Sequence, residues 1–159
     1  MKHAAIPQDE PERIADLNAL HVDPRREPRF DRLTELIADV FEVPMVFLSL
    51  IDSDQQRYKS TCGINVDASP RATGFCSHAI LETGPMVVSN AAEDPRFADN
   101  RNVTGDLHVR FYAGVPLHGP AGKAVGAIGL VDTGPPEFSP KQIGRLEKFA
   151  ALVEAELRR

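Results

Sequence analysis

The spacing of apolar positions changes several times along the chain, and each change marks an element. Ile14, Leu17 and Leu20 recur at three-residue steps behind Pro11, which predicts a short helix within residues 9–21. The periodicity then breaks at 21–28, where Asp23-Pro24 and Glu27-Pro28 mark a connector, so residues 1–28 read as a helical arm and linker ahead of a main domain at 29–159. From Phe30 onward, Phe30, Leu33, Ile37, Val40 and Phe41 return at three and four, an amphipathic helix that Pro44 forbids to continue. Residues 45–51 are apolar at nearly every position, the pattern of a central strand covered on both faces. Turn residues follow at 52–55. Arg57, Lys59 and Thr61 then alternate with Tyr58, Ser60 and Cys62, which predicts the second strand of a hairpin with one wet face.

The middle of the chain, 63–106, is less regular. Residues 74–81 have room for two helical turns and 86–88 for a short strand, while Asp94 reads as an N-cap with Pro95 in the first helical position. Two apolar runs, 109–117 and 124–132, flank a polar turn and predict a second hairpin. Gly126 and Gly129 would weaken its latter strand unless something packs close against the backbone. The last helix carries the clearest signals. Ser139 caps it, Pro140 takes the first position, Gln142 completes a capping box and Phe138 is placed to staple onto Ile143. Ile143, Leu146, Ala150, Val153 and Leu157 then repeat at 3-4-3-4. The order helix, strand, strand, irregular middle, strand, strand, helix predicts an α+β domain in which helices cover a central antiparallel sheet.

Composition narrows the classes of function. In 159 residues, 42% are hydrophobic and 26% charged, a mixture that suits one globular domain. Lys and Arg total 18 against 23 acids, a net charge of −5, so neither nucleic acid nor an anionic membrane is an expected partner. The N-terminus lacks an apolar signal core, and no apolar run approaches the ~20 residues that span a bilayer. A soluble cytoplasmic protein is expected. Its two cysteines, Cys62 and Cys76, allow at most one disulfide.

Candidate chemistry is sparse. Cys62 and Cys76 have no further ligands at zinc spacing, and both read first as small buried thiols. Cys76 also opens the 74–81 helix, where a redox role or ligand attachment is the alternative. His78 lies two residues on and, on a helix, points to another side, which argues against a Cys-His nucleophilic pair. It either contacts a ligand or ties its helix to a neighbouring loop. Arg110 and Tyr112, two apart on a strand, share a side and suit an anionic or aromatic ligand; alternatively Arg110 pairs with an acid such as Asp94. No nucleophile elbow, Walker loop, dinucleotide fingerprint or HExxH is present.

Six segments nevertheless occur in a familiar order: Phe30-Asp31-Arg32-Leu33-Thr34, Phe47-Leu48-Ser49-Leu50-Ile51-Asp52, Gly74-Phe75-Cys76-Ser77-His78-Ala79-Ile80, Asp94-Pro95-Arg96-Phe97-Ala98-Asp99-Asn100, Arg110-Phe111-Tyr112-Ala113-Gly114-Val115-Pro116-Leu117 and Gly126-Ala127-Ile128-Gly129-Leu130-Val131-Asp132. Together they resemble GAF sensor domains, of the branch found ahead of sensor histidine kinases and diguanylate cyclases. The resemblance implies a GAF-like, PAS-related antiparallel sheet with the terminal helices on one face. Short helices and loops would form the lid of a ligand pocket on the other. It implies a lid at 74–81 and 94–100 and a pocket floor with Arg110 and Tyr112. The ligand-binding candidates are thus Phe75, Cys76, His78, Asp94, Phe97, Arg110 and Tyr112. Family members bind cyclic nucleotides, tetrapyrroles, haem or metabolites, so the cofactor stays open here. Bilin-binding members carry a cysteine directly followed by histidine, whereas Ser77 separates Cys76 from His78. Free-methionine-sulfoxide reductases of this fold use cysteines in a loop that corresponds to 99–110, which contains none. The expectation is a non-catalytic sensor, dimeric through its terminal helices and acting on a sensor kinase or diguanylate cyclase, in trans or within something longer. The alternatives are an interaction module with a vestigial pocket and a cysteine-based redox enzyme; the 3-4-3-4 stripe either joins two copies or covers the sheet.

Overall fold

The apolar run forms β1 (Met45–Ile51), buried at all seven positions. A strand of this kind must have partners on both edges and a roof on both faces, and it has them. The computed structural model describes residues 2–159. In it β1 pairs antiparallel with β2 (Gln55–Cys62) on one side and β6 (Ala124–Asp132) on the other. With β3 (Ala68–Pro70), β4 (Met86–Val88) and β5 (Phe111–His118), these form a six-stranded sheet in the order β3-β2-β1-β6-β5-β4, antiparallel at every pairing. The two hairpins expected from the pattern are β1–β2 and β5–β6.

Alternation along β1 divides the core. Val46, Leu48 and Leu50 face one side, where they meet α2 (Pro28–Phe41) and α5 (Pro140–Leu157) through Phe30, Ile37, Phe41, Leu146 and Val153. Met45, Phe47 and Ile51 face the other, where α3 (Phe75–Ala79), α4 (Arg101–Thr104), two 3-10 turns (Arg71–Thr73 and Ala91–Glu93) and their loops form the lid. The architecture is α+β, with the terminal helices on one face and a lid on the other. The α5 stripe is used inside the molecule: Leu146, Ala150, Val153 and Leu157 are buried against the sheet, while Leu152 stays 55% exposed. On α2, Leu36 and Val40 are likewise exposed, so Val40 does not belong to the buried stripe.

Several local expectations change. The wet face of β2 fails at Lys59, because Leu48 pairs with Ser60 and Ser49 with Tyr58, leaving Lys59 as the extra residue of a β-bulge. The bulge turns Lys59 inward, where its ammonium donates to the carbonyls of Asp23 and Arg25 and pairs with Glu27 at 2.7 Å. The connector is thereby pinned to the sheet. Asp94 caps a turn at 95–99 instead of a helix, with its carboxylate accepting from the Arg96 amide. Asn100 is the residue that caps a helix there, α4. At α5, Ser139 Oγ accepts from the Gln142 amide as expected, and Phe138 packs on the rings of Phe111 and Phe41 (5.3 and 6.1 Å between centroids).

The arm is docked. In α1 (Glu10–Ala19) the deepest residues are Arg13 and Asp16 rather than the apolar positions. Arg13 donates to the Ile51 carbonyl at 2.9 Å, and Asp16 accepts from the amides of Ala121 and Lys123 in the β5–β6 turn. Gly119 makes room for that carboxylate, since a Cβ there would lie 2.5 Å from Asp16 Cγ.

Gly126 fulfils the condition set by the sequence. A Cβ at this position would fall 2.0 Å from the Ser49 carbonyl oxygen, which is backbone of the central strand and cannot move alone. Gly126→Ala is therefore expected to destabilise the protein by roughly 1–3 kcal/mol. Gly134→Ala, with nothing within 4 Å of the added carbon, should stay within about 0.5 kcal/mol. Urea denaturation of both variants checks this; equal midpoints for the two would contradict the close packing of β1 on β6.

Candidate functional site

The lid face gathers most of the aromatic side chains singled out by the sequence. Phe75, at the start of α3, stacks on Phe97 at 4.2 Å and on Tyr112 of β5 at 5.1 Å between centroids, and His78 meets Phe97 edge-on at 4.9 Å. Phe97 and Tyr112 are wholly buried. This stack is the inner wall between lid and sheet, worth more than its area because offset ring pairs add about 0.5–1.5 kcal/mol each. Cys76 lies on its sheet side, where the Tyr112 hydroxyl donates to its sulfur at 3.1 Å. Burial pushes the Cys76 thiol up and the Tyr112 hydroxyl well above its ordinary value, so both stay protonated at neutral pH. Cys62 lies beside the helix-face core, away from this cluster, and both cysteines are free. A thiol sealed in this way is a packing group.

His78 points outward from α3. Its Nε2 lies 3.2 Å from the Lys2 carbonyl, and burial lowers its pKa, so the neutral ring donates to that carbonyl. The Ala4 amide donates to the Ala72 carbonyl in the first 3-10 turn at 2.9 Å. The segment before α1 thus crosses the lid, and Glu10 continues the link by pairing with Arg71 at the rim and with Arg13 beneath. Asp94 and Arg96 form their own bidentate pair, at 2.8 and 3.0 Å. Arg110 therefore does not pair with Asp94; it donates to the carbonyls of Val103 and Val109 and approaches His108 at 3.2 Å, which fastens the α4 loop to β5. Arg110 precedes β5 and bends back on its own loop, whereas Tyr112 lies within the strand against Phe75 and Cys76.

The open space lies beside the stack rather than within it. A cavity of about 420 Å³ is lined by Phe47, Gln56, Tyr58, Ser69, Phe75 and the 100–102 segment, among others. Of the seven expected residues only Phe75 reaches it. Phe47 and Tyr58 form an edge-to-face pair at 5.3 Å. A polar chain runs along its wall: Tyr58 Oη lies 3.0 Å from Ser69 Oγ, and Gln56 Nε2 donates to Tyr58 Oη and to Ser49 Oγ. Burial raises the Tyr58 hydroxyl to about 12, so it remains a neutral hydrogen-bonding group. The sequence did hold one signal for this wall. With Arg57 placed outward, Gln56 and Tyr58 share the inward side, and an inward amide asks for partners. A second, larger hollow of about 540 Å³ opens on the other side, between the connector and β2. Its cationic groups, Lys59, Arg26 and Arg57, are already bound to protein partners. Among the described residues no cluster of three His, Cys, Asp or Glu side chains is arranged to hold a metal, and no helix is long and apolar enough to cross a membrane.

Comparison with known proteins agrees with this arrangement. The profile of the GAF domain family matches residues 25–157. A cyclic di-GMP phosphodiesterase from Pseudomonas aeruginosa is 32% identical over 153 residues; the match covers 95% of this chain and 26% of that protein, so the chain spans about a quarter of the curated relative. Among solved structures, the GAF domain of an Acinetobacter phosphoenolpyruvate-protein phosphotransferase superposes with a TM-score of 0.70 at 16% identity, covering 95% of this chain and 93% of that one. The free methionine-R-sulfoxide reductase of Neisseria meningitidis, solved with its substrate, gives 0.68 at 18% identity over 91% and 86%. At these identities the two structures speak for the fold alone.

Two outcomes follow from the geometry. In native protein at pH 8, a thiol reagent should modify Cys62 first and leave Cys76 unreacted until denaturant is added; rapid modification of both would contradict the sealed site. Glu10 sets the second. Partial burial opposes its ionisation, but hydrogen bonds from Arg71 and Arg13 outweigh this and lower its carboxyl to about 2. A depressed folded-state value stabilises the fold above the unfolded pKa near 4.5, and that share is lost as pH falls from about 5 toward 2. Glu10→Gln should flatten the stability–pH slope in this window by a share on the order of 1–2 kcal/mol, discounted for solvent screening. Unfolding curves at stepped pH measure it.

Proposed function

The chain belongs to the GAF domain family, and from that premise we propose that it is a non-catalytic regulatory member acting in the cytoplasm. It binds a small molecule in the lid-face cavity and passes the event to its arm and terminal helices. The observation that carries this reading is the cavity of about 420 Å³, walled by two aromatic rings of the sheet and roofed by elements separate from it. That volume falls in the range of ligand sites, about 300–1,000 Å³, and above what a vestigial pocket would leave. The relay has a physical route. The first 3-10 turn holds Glu10 through Arg71, and Glu10 holds Arg13, which reaches the β1 backbone. A lid that shifts therefore pulls on α1, and the populations of two packings change together.

The Phe75–Phe97–Tyr112 stack favours a second reading, an interaction module whose interior is closed by its own side chains. Dimerisation belongs to either reading; the exposed Leu36, Val40 and Leu152 on α2 and α5 are the apolar groups available to it. The output would be a cyclic-di-GMP-metabolising enzyme or a sensor kinase, on the same chain or in trans.

A thermal-shift screen of the purified protein against a metabolite panel separates the two readings. A ligand at one hundred times its Kd adds about 2.7 kcal/mol, which for this size raises Tm by roughly 5–10 °C. Ser69→Trp, which fills the cavity from its rim, should abolish that rise while shifting the ligand-free Tm by no more than a few degrees. An empty panel, or an undiminished response in Ser69→Trp, would overturn the small-molecule reading.

A further inference from the structure

The cavity wall contains two groups that the fold itself does not use. Gln56 is 1% exposed, and its amide nitrogen is committed to Ser49 Oγ and Tyr58 Oη at 3.2 and 3.1 Å. These bonds fix the direction of its carbonyl oxygen, and that oxygen meets no donor. It lies against Gly74, where a Cβ would fall 1.9 Å from it; the Ser77 hydroxyl, also without a partner, lies 3.1 Å from the same point. Buried acceptors are nearly always satisfied, so a held-in-place one facing a cavity wall calls for a donor. The second group is Arg101 at the cavity mouth. It is exposed, and among the described residues no carboxylate or carbonyl receives its guanidinium, unlike those of Arg71 and Arg96 on the same lid.

We infer that the cavity selects a planar ligand bearing a hydrogen-bond donor on one edge, taken by Gln56 Oε1, and a negatively charged group, met by Arg101. The inference rests on the small-molecule reading above and names the ligand's chemistry. Phe47, Tyr58 and Phe75 supply flat apolar surface for the ring. A carboxylate and a phosphate satisfy Arg101 equally in kind. In the arrangement seen, Gly74 covers the Gln56 oxygen, so the donor reaches it as the chain at Gly74 swings outward. Gly74 is suited to move: it has no side chain, and its amide is held only by a 3.3 Å bond to the Arg71 carbonyl. Occupancy thereby displaces the start of α3, which carries His78 and its contact to the N-terminal segment.

The chain contains no tryptophan, so the fluorescence anisotropy of an indole probe, excited beyond the absorption of the two tyrosines, reports binding without a protein indole signal. Four probes separate the two requirements and the two anions: indole-3-carboxylate, its N-methyl derivative, indole-3-carboxamide and 3-indolyl phosphate. The carboxylate or the phosphate should bind, and whichever is tighter identifies the anion. N-methylation and loss of charge should each weaken binding roughly tenfold or more. In Gln56→Met the N-methyl penalty should vanish while the charge penalty persists; Arg101→Gln should do the reverse, and Arg101→Lys should restore part of the charge preference. Gln56→Asn, which keeps an amide but withdraws the acceptor, replaces Gln56→Met if the latter does not fold. Equal binding of all four probes overturns the selectivity and leaves ligand sensing intact. No binding at millimolar probe also overturns it, and an empty metabolite screen alongside removes the sensing reading as well.

Discussion

A strand with no free edge and no wet face organises this molecule. β1 is hydrogen-bonded on both sides and buried along its whole length, so the chain must supply two different roofs. Long amphipathic helices make one, because a regular stripe can lie flat on a twisted sheet. The other is assembled from five-residue and shorter pieces, which pack through rings rather than stripes. The difference decides where a ligand could enter. The eighteen-residue α5 buries its stripe directly on the sheet, whereas the patchwork of turns leaves an aromatic-walled hollow at its seam.

Polar groups set the finer geometry. The arm is held by Arg13 and Asp16, which cap the last carbonyl of β1 and two amides of the β5–β6 turn, so it is part of the core's hydrogen bonding. Lys59 does the same for the connector through a bulge. On the lid side the chain Ser69–Tyr58–Gln56–Ser49 runs from the rim of the cavity into the sheet and ends with an acceptor left over. The rest of that chain is hydrogen-bonded, which is why the two unpartnered groups beside Gly74, Gln56 Oε1 and Ser77 Oγ, read as a place for something else.

Much of this was legible from residue pattern. The period-3.6 stripes located α2 and α5, the unbroken apolar run located β1, and Gly126 announced a close approach that the Ser49 carbonyl makes. The meeting of Phe75, Phe97 and Tyr112 was implied by the resemblance to GAF domains rather than by periodicity, and the three rings do stack. Arg110 and Asp94 were not. Each had a plausible partner at a distance but found one within a few residues, because a short loop brings local groups together at smaller entropic cost.

Periodicity by itself located the long elements, α2, α5 and the strands of the two hairpins, because burial of apolar surface acts along the whole of a regular element. Tertiary structure alone decided the bulge at Lys59, the entry of Arg13 and Asp16 into the core, and the location of the hollow between Gln56 and Arg101. These depend on where unpaired backbone groups and gaps are left once the elements have met. No repeat in the chain records that outcome, since each such contact is made once, between residues far apart in sequence.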